Sequence, residues 1–314
     1  MKLKKDSSEQ KLRGAYYTPL KLSNAIVKLF DGQDISSILE PSCGDGVFIE
    51  SLSSFGLLSR VSEVDAVEIE LAEAEKVKNN FSGNKNVTVV NSDFFDFYKK
   101  NYQKKAYDLI LGNPPYIRYQ YLTEKQRETQ SEILTSHGMK SNKLINVWVA
   151  FVVACVQMLS DKGKIAFVLP AEILQVAYAE DLRLYLSNNL SKITLITFEE
   201  LVFPDIEQEV VVLIGEKGKE EKGIRIVEMN NLDDFDSLMV KKNGFQKLQH
   251  VKEKWTKYFI TADEMQLINQ IKADERFVKF SDCALINVGI TTGNNHFFSV
   301  TEKTCEKYEL NDVT

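Results

Sequence analysis

Residues 107–116, which read YDLILGNPPY, constrain the fold more than any other part of the chain. The apolar residues 109–111 predict a buried strand, and Gly112 followed at once by Asn and two prolines predicts that this strand stops abruptly. Asn113 is therefore expected at the carboxyl end of a strand. A proline has no N–H to donate and holds the residue before it extended, so we expect rigid, unpaired carbonyls on Asn113 and Pro114.

Two rigid acceptors beside an aromatic ring suit an amino group. The side-chain oxygen of Asn113 and a main-chain carbonyl could accept both hydrogens of one NH2 group, and Tyr116 offers a ring for stacking. Such acceptors would help methyl transfer to an aromatic amine, because they localise its lone pair and stabilise charge that develops only in the transition state. A strand-ending turn without chemistry explains NPPY equally well, so its context has to decide.

Composition predicts an intracellular protein with an α/β sheet domain and an appendage. The chain has 314 residues, of which 44% are hydrophobic, and no segment approaches the roughly 18 apolar residues of a membrane span. The N-terminus lacks the apolar core of a signal peptide, so we expect a cytoplasmic location without membrane contact. Four cysteines without a C-x-x-C pair and three scattered histidines favour neither a metal site nor disulfides.

Three further strand-to-helix units precede the motif at residues 107–116. In residues 36–52 a strand ends at Glu40 and a tight turn follows through Gly44 and Gly46, where glycine lets the backbone approach a ligand. The spacing is not G-x-G-x-x-G and no Lys-Ser pair follows, so a pyrophosphate group fits poorly. Glu40 and Asp45 at this turn favour a positively charged ligand instead.

The next two strands also end in polar groups. Glu68 ends the second strand, where it could accept two ribose hydroxyls, and Asp93 with Phe94 follows the third, where a purine amino group and ring face would lie. Each acid alone is explained as well by a helix cap or an exposed charge. Four such strand ends at regular spacing predict a ligand site at the carboxyl edge of a parallel sheet.

The ordered segments YYTP, LEPSCGDGVF, VEIE, NSDFF and DLILGNPPYIR carry a resemblance. The chain resembles the amino-methylating DNA methyltransferases of bacterial restriction-modification systems in their gamma arrangement, over about residues 14–215. The resemblance implies an α/β, Rossmann-like class I S-adenosylmethionine-dependent methyltransferase fold with a seven-stranded, mostly parallel sheet. It also implies methyl transfer to N6 of an adenine flipped out of double-stranded DNA.

The resemblance assigns roles to individual positions. Around the methionine and sulfonium part of S-adenosyl-L-methionine it implies Tyr16, Thr18, Glu40, Gly44 and Phe48, with Asp45 nearby. It implies Glu68 at the ribose and Asp93 with Phe94 at the adenine, and it includes Asn113 among the cofactor-binding residues. For the target base it implies Asn113, Pro114 and Tyr116 as the grip and Phe203 as a second stacking ring. Independently, Tyr16 and Tyr17 form an aromatic entry to a helix that we expect Thr18 to cap.

We expect three regions: a basic N-terminal tail at 1–13, a catalytic domain at 14–230 and an extension at 231–314. The extension resembles only the lead-in to a target-recognition domain, so we expect a recognition domain or subunit, lost by truncation or supplied by another chain, and a cognate restriction endonuclease as partners. The net charge of −6 argues against coating nucleic acid through bulk charge, although the tail is locally basic. After the motif, the polar residues 117–146 could form a mobile flap.

Three alternatives stay open. Cytosine N4 would fit the same acceptors, although Asn before Pro-Pro favours adenine. A protein-glutamine methyltransferase also uses NPPY but lacks the Y-x-T-P segment. The third alternative is a DNA-binding module that has lost catalysis. The complete NPPY motif and the complete cofactor motifs count against it.

Overall fold

The computed structural model describes residues 17–203, 209–235, 244–248, 254–285 and 301–308. Tyr16 and the basic tail lie outside the described residues. In the described part, the strands are β1 (Ser37–Glu40), β2 (Glu63–Glu68), β3 (Val87–Asn91), β4 (Tyr107–Gly112), β5 (Leu159–Pro170), β6 (Lys192–Phe198), β7 (Val210–Glu216), β8 (Gly223–Met229) and β9 (Gln246–Lys247).

These strands form one sheet in the order β3-β2-β1-β4-β5-β7-β6-β8-β9. Strands β1 to β5 run parallel, and β7 lies antiparallel between β5 and β6. The predicted α/β fold with a mostly parallel sheet is confirmed. The described sheet has nine strands instead of the expected seven. Beyond β6, strand β8 pairs with β6 and strand β9 pairs with β8.

Helices cover both faces of the sheet. In the described part they are α1 (Leu20–Lys28), α2 (Val47–Ser54), α3 (Leu71–Asn80), α4 (Phe94–Asn101), α5 (Glu124–Thr135), α6 (Val147–Gln157), α7 (Glu180–Asn189), α8 (Ala262–Ala273), α9 (Phe280–Cys283) and α10 (Glu302–Lys307). Along β4, Leu109 and Leu111 pack with α1 to α3, whereas Ile110 packs with α4 to α7. This alternation follows from the two-residue period of a strand, and it gives the sheet a hydrophobic core on each face.

Helix α6 is the most buried helix of the described chain. Every residue from Val147 to Val156 is buried, and only Gln157 at its end is not. A helix that is apolar all round needs partners on every side. Here it packs on β5, α5 and α7, beneath the loop that follows β4.

Helix α1 begins differently from its prediction. Its N-cap residue is Pro19, and no side chain caps the helix. The prediction that Thr18 caps this helix was therefore wrong. Thr18 is instead buried, with 7% of its surface exposed, beside the turn after β1.

The chain divides into two compact units, residues 1–259 and 260–314. The boundary lies later than the expected division after residue 230, because β9 pairs with β8 and Trp255 and Tyr258 are buried in the core of the first unit. The second unit holds α8, α9 and α10. Thr261 and Glu264 form a capping box at the start of α8. None of the helices in the described ranges is long and apolar enough to cross a membrane.

Candidate functional site

Loops at the carboxyl ends of β1 to β4 enclose a cavity of about 360 Å³. Its walls come from all four strand ends and from helices α5 and α6. Among the lining residues are Tyr17, Ser42, Gly44, Glu68, Glu73, Asp93, Phe94, Asn113, Pro115, Gln126, Val147 and Phe151. Four of the positions predicted from strand ends, Gly44, Glu68, Asp93 and Asn113, thus come together at one edge of the sheet.

A smaller cavity of about 40 Å³ adjoins the larger one. Tyr17, Ser42, Gly44 and Asn113 line both spaces. The other walls of the smaller space are Thr18, Glu40, Cys43, Asp45, Val47 and Phe48. The predicted cofactor residues after β1 therefore surround this second compartment.

Two glycines shape the turn between β1 and α2. Gly44 has a φ of +52° and Gly46 a φ of +86°, in the left-handed region that side chains with a Cβ disfavour. The Gly44 N–H donates to Glu68 Oε2 at 2.8 Å, which fixes the turn against the end of β2. The turn can approach a ligand closely because Gly44 has no side chain.

We expect Gly46→Ala to lower the free energy of unfolding by about 2 kcal/mol or more. A Cβ at Gly46 would lie 3.0 Å from Val77 Cγ2, in addition to the strain of the positive φ. Gly32→Ala is the control, because Gly32 has a φ of +72° and a Cβ added there would meet no atom within 4 Å, so only about 1 kcal/mol is expected. Urea denaturation measures both. Equal losses would contradict the role given to the contact with Val77.

Glu40 is the most buried acid at the site. Only 1% of its surface is exposed, and its Oε2 has no hydrogen-bond partner among the described residues. Burial, followed by the charges of Asp45 and Glu68, raises the pKa of Glu40 well above its ordinary 4.5. Burial is also the largest cause of the raised pKa values of Asp45 and Glu68. Because Glu40 is buried and feels the charges of both Asp45 and Glu68, a cation beside it would relieve this repulsion.

Glu68 holds two loops through its carboxylate. Oε2 accepts from the Gly44 N–H, and Oε1 accepts from the Glu70 N–H at 2.8 Å. A carboxylate offers about four acceptor sites, so these two bonds leave capacity for a ligand. Glu68 lines the larger cavity, and its predicted contact with ribose hydroxyls stays a prediction.

Asp93 both caps a helix and lines the cavity. Its Oδ1 accepts from the Phe95 N–H at 2.7 Å and caps α4, while Oδ2 accepts from Gln126 Nε2 at 2.6 Å. Phe94 beside it is 4% exposed, and its ring centroid lies 4.6 Å from that of Phe151. An acid and an aromatic face therefore line the same wall, an arrangement that suits an aromatic amine.

Asn113 follows β4 directly and borders both cavities. The expectation that its main-chain carbonyl lacks a partner was wrong, because Ser42 Oγ donates to this oxygen at 3.3 Å. Pro114 is not among the residues that line the two cavities, whereas Pro115 lines the larger one. The motif is thus tied to the turn after β1 by a side chain that sequence reasoning did not single out.

Two rings were predicted to stack on a target base. Tyr116 is partly buried between the two hydrophobic cores, and its hydroxyl donates to the carbonyl of Val168 on β5 at 3.1 Å. Phe203 is 5% exposed and packs in the core that contains α1 to α3. Neither ring lines the two cavities described above, so their stacking role stays a prediction.

Two cavity residues were missed as site positions. Tyr17 lines both cavities, its hydroxyl donates to Glu73 Oε1 at 3.3 Å, and burial together with Glu73 raises its pKa to about 12. The doubled tyrosine was the available signal, since either ring of this entry could face a ligand, although the resemblance implies Tyr16. Gln126 lies in the segment that we expected to be a flap. The available signal there was the T-x-x-Q spacing from Thr123, a capping box that places Gln126 in the first turn of α5.

Comparison with known proteins agrees with this geometry. A family model described as Eco57I restriction-modification methylase matches residues 45–203, about half of the chain. The chain belongs to this family. A second model, the C-terminal domain of the type II methyltransferase M.Eco57I, matches residues 252–314. The family implies S-adenosyl-L-methionine as the cofactor of this methylase.

Individual relatives of this methylase are type II methyltransferases. It is 26% identical over 313 residues to the type II methyltransferase M.AccI of Acinetobacter calcoaceticus, covering 95% of this chain and 55% of that protein. It is 30% identical over 234 residues to M.HincII of Haemophilus influenzae, covering 74% of this chain and 43% of that protein. The chain therefore spans about half the length of the curated relatives it matches.

Solved structures share the fold. A DrdV–DNA complex matches with a TM-score of 0.64 and 14% identity, over 80% of this chain and 32% of that one. A class I S-adenosylmethionine-dependent methyltransferase from Listeria monocytogenes matches with a TM-score of 0.58 and 15% identity, over 72% and 70%. The predicted class I methyltransferase fold is confirmed.

The described residues fit the cofactor that the family implies. The buried Oε2 of Glu40 needs a positively charged or donating partner, and the sulfonium and amino groups of S-adenosylmethionine are such partners. The acid and the aromatic face at Asp93 and Phe94 suit its adenine. Within the described part of the chain, no group of three or more His, Cys, Asp or Glu side chains is placed to hold a metal ion.

Proposed function

We propose that this methylase transfers the methyl group of S-adenosyl-L-methionine to N6 of an adenine flipped out of double-stranded DNA. The observation that carries the proposal is the position of Asn113, which directly follows β4 and borders both the smaller cavity, lined by Glu40 and Asp45, and the larger cavity. Asn113 thus borders the cavities that suit the cofactor, and it also belongs to the NPPY motif, which suits an aromatic amine. Asn before Pro-Pro supports adenine over cytosine.

The site residues divide into cofactor and substrate groups. Glu40 and Asp45 would hold the positively charged end of the cofactor, Glu68 its ribose hydroxyls, and Asp93 with Phe94 its adenine. When bound, the cofactor supplies an electrophilic methyl group on a positively charged sulfur. The carboxylates orient it, and the buried walls of the cavity keep water from competing with the substrate amine.

The substrate amine would be activated by acceptors rather than by a base. The Asn113 side-chain oxygen and the Pro114 carbonyl accept its two hydrogens, so the lone pair becomes available to the methyl carbon. The nitrogen would gain the methyl group as the bond from methyl carbon to sulfur breaks, and it would release one proton to solvent. Tyr116 and Phe203 would stack on the flipped base, which offsets part of the few kcal/mol that unstacking costs.

We further propose that this reaction is the modification activity of a restriction-modification system. The family description and the names of the relatives support that setting. The match of residues 252–314 to a methyltransferase C-terminal domain supports a role of the second unit in site recognition. A recognition domain or subunit and a cognate endonuclease would be its partners.

Mass spectrometry of nucleosides tests the proposed reaction. DNA from a strain without adenine methylation is incubated with the full chain and a cofactor whose methyl group is isotopically labelled. We expect labelled N6-methyldeoxyadenosine, and none in a reaction without the chain. Labelled N4-methyldeoxycytidine would contradict the adenine assignment, and the absence of any labelled base would contradict the proposal that this chain methylates DNA.

A further inference from the structure

Gln126 connects two parts of the methylase through one side chain. Its Oε1 accepts from the Thr123 N–H at 2.9 Å, which completes the capping box of α5, and its Nε2 donates to Asp93 Oδ2 at 2.6 Å. A flipped amide would set Nε2 against an N–H donor and Oε1 against a carboxylate, so both contacts require the same orientation. The side chain is therefore fixed at both ends.

Asp93 is held in turn by two different helices. The cap of α4 fixes Oδ1 through the Phe95 N–H, and Gln126 on α5 fixes Oδ2. Asp93 and Gln126 both line the larger cavity. Since each oxygen has its own partner, the plane of the carboxylate is set by α5 as much as by α4.

Helix α5 also supports the turn that follows the NPPY motif. Arg127, next to Gln126, donates through Nε to the carbonyl of Tyr119 at 3.1 Å and through Nη2 to the carbonyl of Gln120 at 2.8 Å. Its guanidinium carbon lies 5.1 Å from the centroid of the Tyr119 ring. A continuous set of contacts thus runs from Asp93 through the first turn of α5 to residues 119–121.

We propose that Gln126 is a positioning residue that orients the Asp93 carboxylate towards the adenine amino group of the cofactor and so couples cofactor binding to helix α5. This inference rests on the proposed function, which places the cofactor adenine at Asp93. Ordering of Asp93 by the ligand stabilises the Gln126 contact and with it the start of α5 and the turn at residues 119–121. The same contact, by linkage, strengthens cofactor binding.

Three variants of the full chain test the proposal by calorimetry with S-adenosylhomocysteine. Gln126→Ala removes the donor to Asp93, and we expect about ten-fold weaker binding. Gln126→Glu keeps the capping box, since Glu also serves at that position, but it sets a carboxylate against Asp93. We expect its loss of affinity to be at least as large, although α5 keeps its cap.

Lys125→Ala is the matched control. Lys125 neighbours Gln126 and forms the ion pair to Asp96, 2.7 Å, that also joins α4 and α5, but it lies outside the larger cavity. This exposed ion pair contributes little to stability, so we expect Lys125→Ala to bind S-adenosylhomocysteine within about two-fold of the unaltered chain. A loss equal to that of Gln126→Ala would mean that any weakening of the contact between α4 and α5 lowers affinity, which would overturn the specific role of Gln126.

Two further measurements distinguish orientation of Asp93 by Gln126 from a purely structural role of Gln126. The unaltered chain should prefer S-adenosylhomocysteine over its hypoxanthine analogue, which lacks the amino group, and Gln126→Ala should reduce this preference several-fold. S-adenosylhomocysteine should also slow amide hydrogen exchange in residues 119–127 of the unaltered chain but not of Gln126→Ala. Unchanged preference and unchanged protection would overturn the inference and leave the proposed function standing. Failure of the unaltered chain to bind the ligand would overturn both.

Discussion

Asn113→Ala is expected to lower the rate of methyl transfer by about 10³-fold and to leave much of the affinity for S-adenosylhomocysteine. The side-chain oxygen of Asn113 would accept a hydrogen of the substrate amine, and this contact strengthens as positive charge develops on the nitrogen. Its loss therefore acts on the transition state more than on cofactor binding. Single-turnover kinetics with labelled cofactor, together with calorimetry, would measure the two effects separately.

Asn113→Asp is the control of matched size. It retains an acceptor oxygen in the same place, so we expect a smaller loss of rate than in Asn113→Ala, provided that both proteins unfold at similar urea concentrations. An Asn113→Ala variant that transfers methyl groups at the unaltered rate would contradict the assignment of Asn113. Equal loss of rate and of S-adenosylhomocysteine affinity would instead make Asn113 a cofactor-binding residue only.

Glu40→Gln is expected to stabilise the fold while weakening the binding of S-adenosylmethionine by about 10²-fold. Glu40 is buried beside Asp45 and Glu68, and Gln removes a charge that the folded protein disfavours. The same charge would attract the positively charged end of the cofactor. Stability and binding therefore change in opposite directions, which a general disruption of the site cannot produce.

The pH dependence of this variant follows from the raised pKa of Glu40. In the folded protein that pKa lies above the ordinary 4.5, so the stability that Glu40 contributes is complete below 4.5 and is lost as pH rises through the folded pKa. Gln does not titrate, so the stability advantage of the variant should be small near pH 5 and larger near about pH 8. Urea denaturation at both pH values measures it. A stability difference between the variant and the unaltered chain that is the same at both pH values would contradict the raised pKa of Glu40.

Sequence predicted the strand ends of the site well because the signal there is local. Glu40, Glu68 and Asn113 each follow or end an apolar run, and parallel strands bring such positions to one edge of a sheet. Gly44 and Gly46 were likewise visible, since positive φ angles demand glycine. The resemblance then supplied the cofactor, which strand periodicity alone cannot name.

Contacts between distant segments were not predictable in the same way. The Gln126 contact with Asp93 and the Ser42 contact with Asn113 join residues 33 and 71 positions apart, and neither pair has a pattern in the sequence. Likewise, the pairing of β8 with β6 and of β9 with β8 depends on which sheet edge is left uncovered, a property of the assembled fold. Local periodicity gives the strands but not these partners.

The apolar wall of the larger cavity has a consequence for the entropy of binding. Val147 and Phe151 line this cavity, yet they are 2% and 7% exposed and belong to the hydrophobic core of α6. Core packing has already fixed their rotamers, so a ligand that contacts them loses little side-chain freedom. Tyr17, which also lines this cavity, is 41% exposed and has more of that freedom to lose. We therefore expect the wall at α6 to be preorganised and the conformational entropy loss of binding to arise at exposed lining residues such as Tyr17 and Ile69.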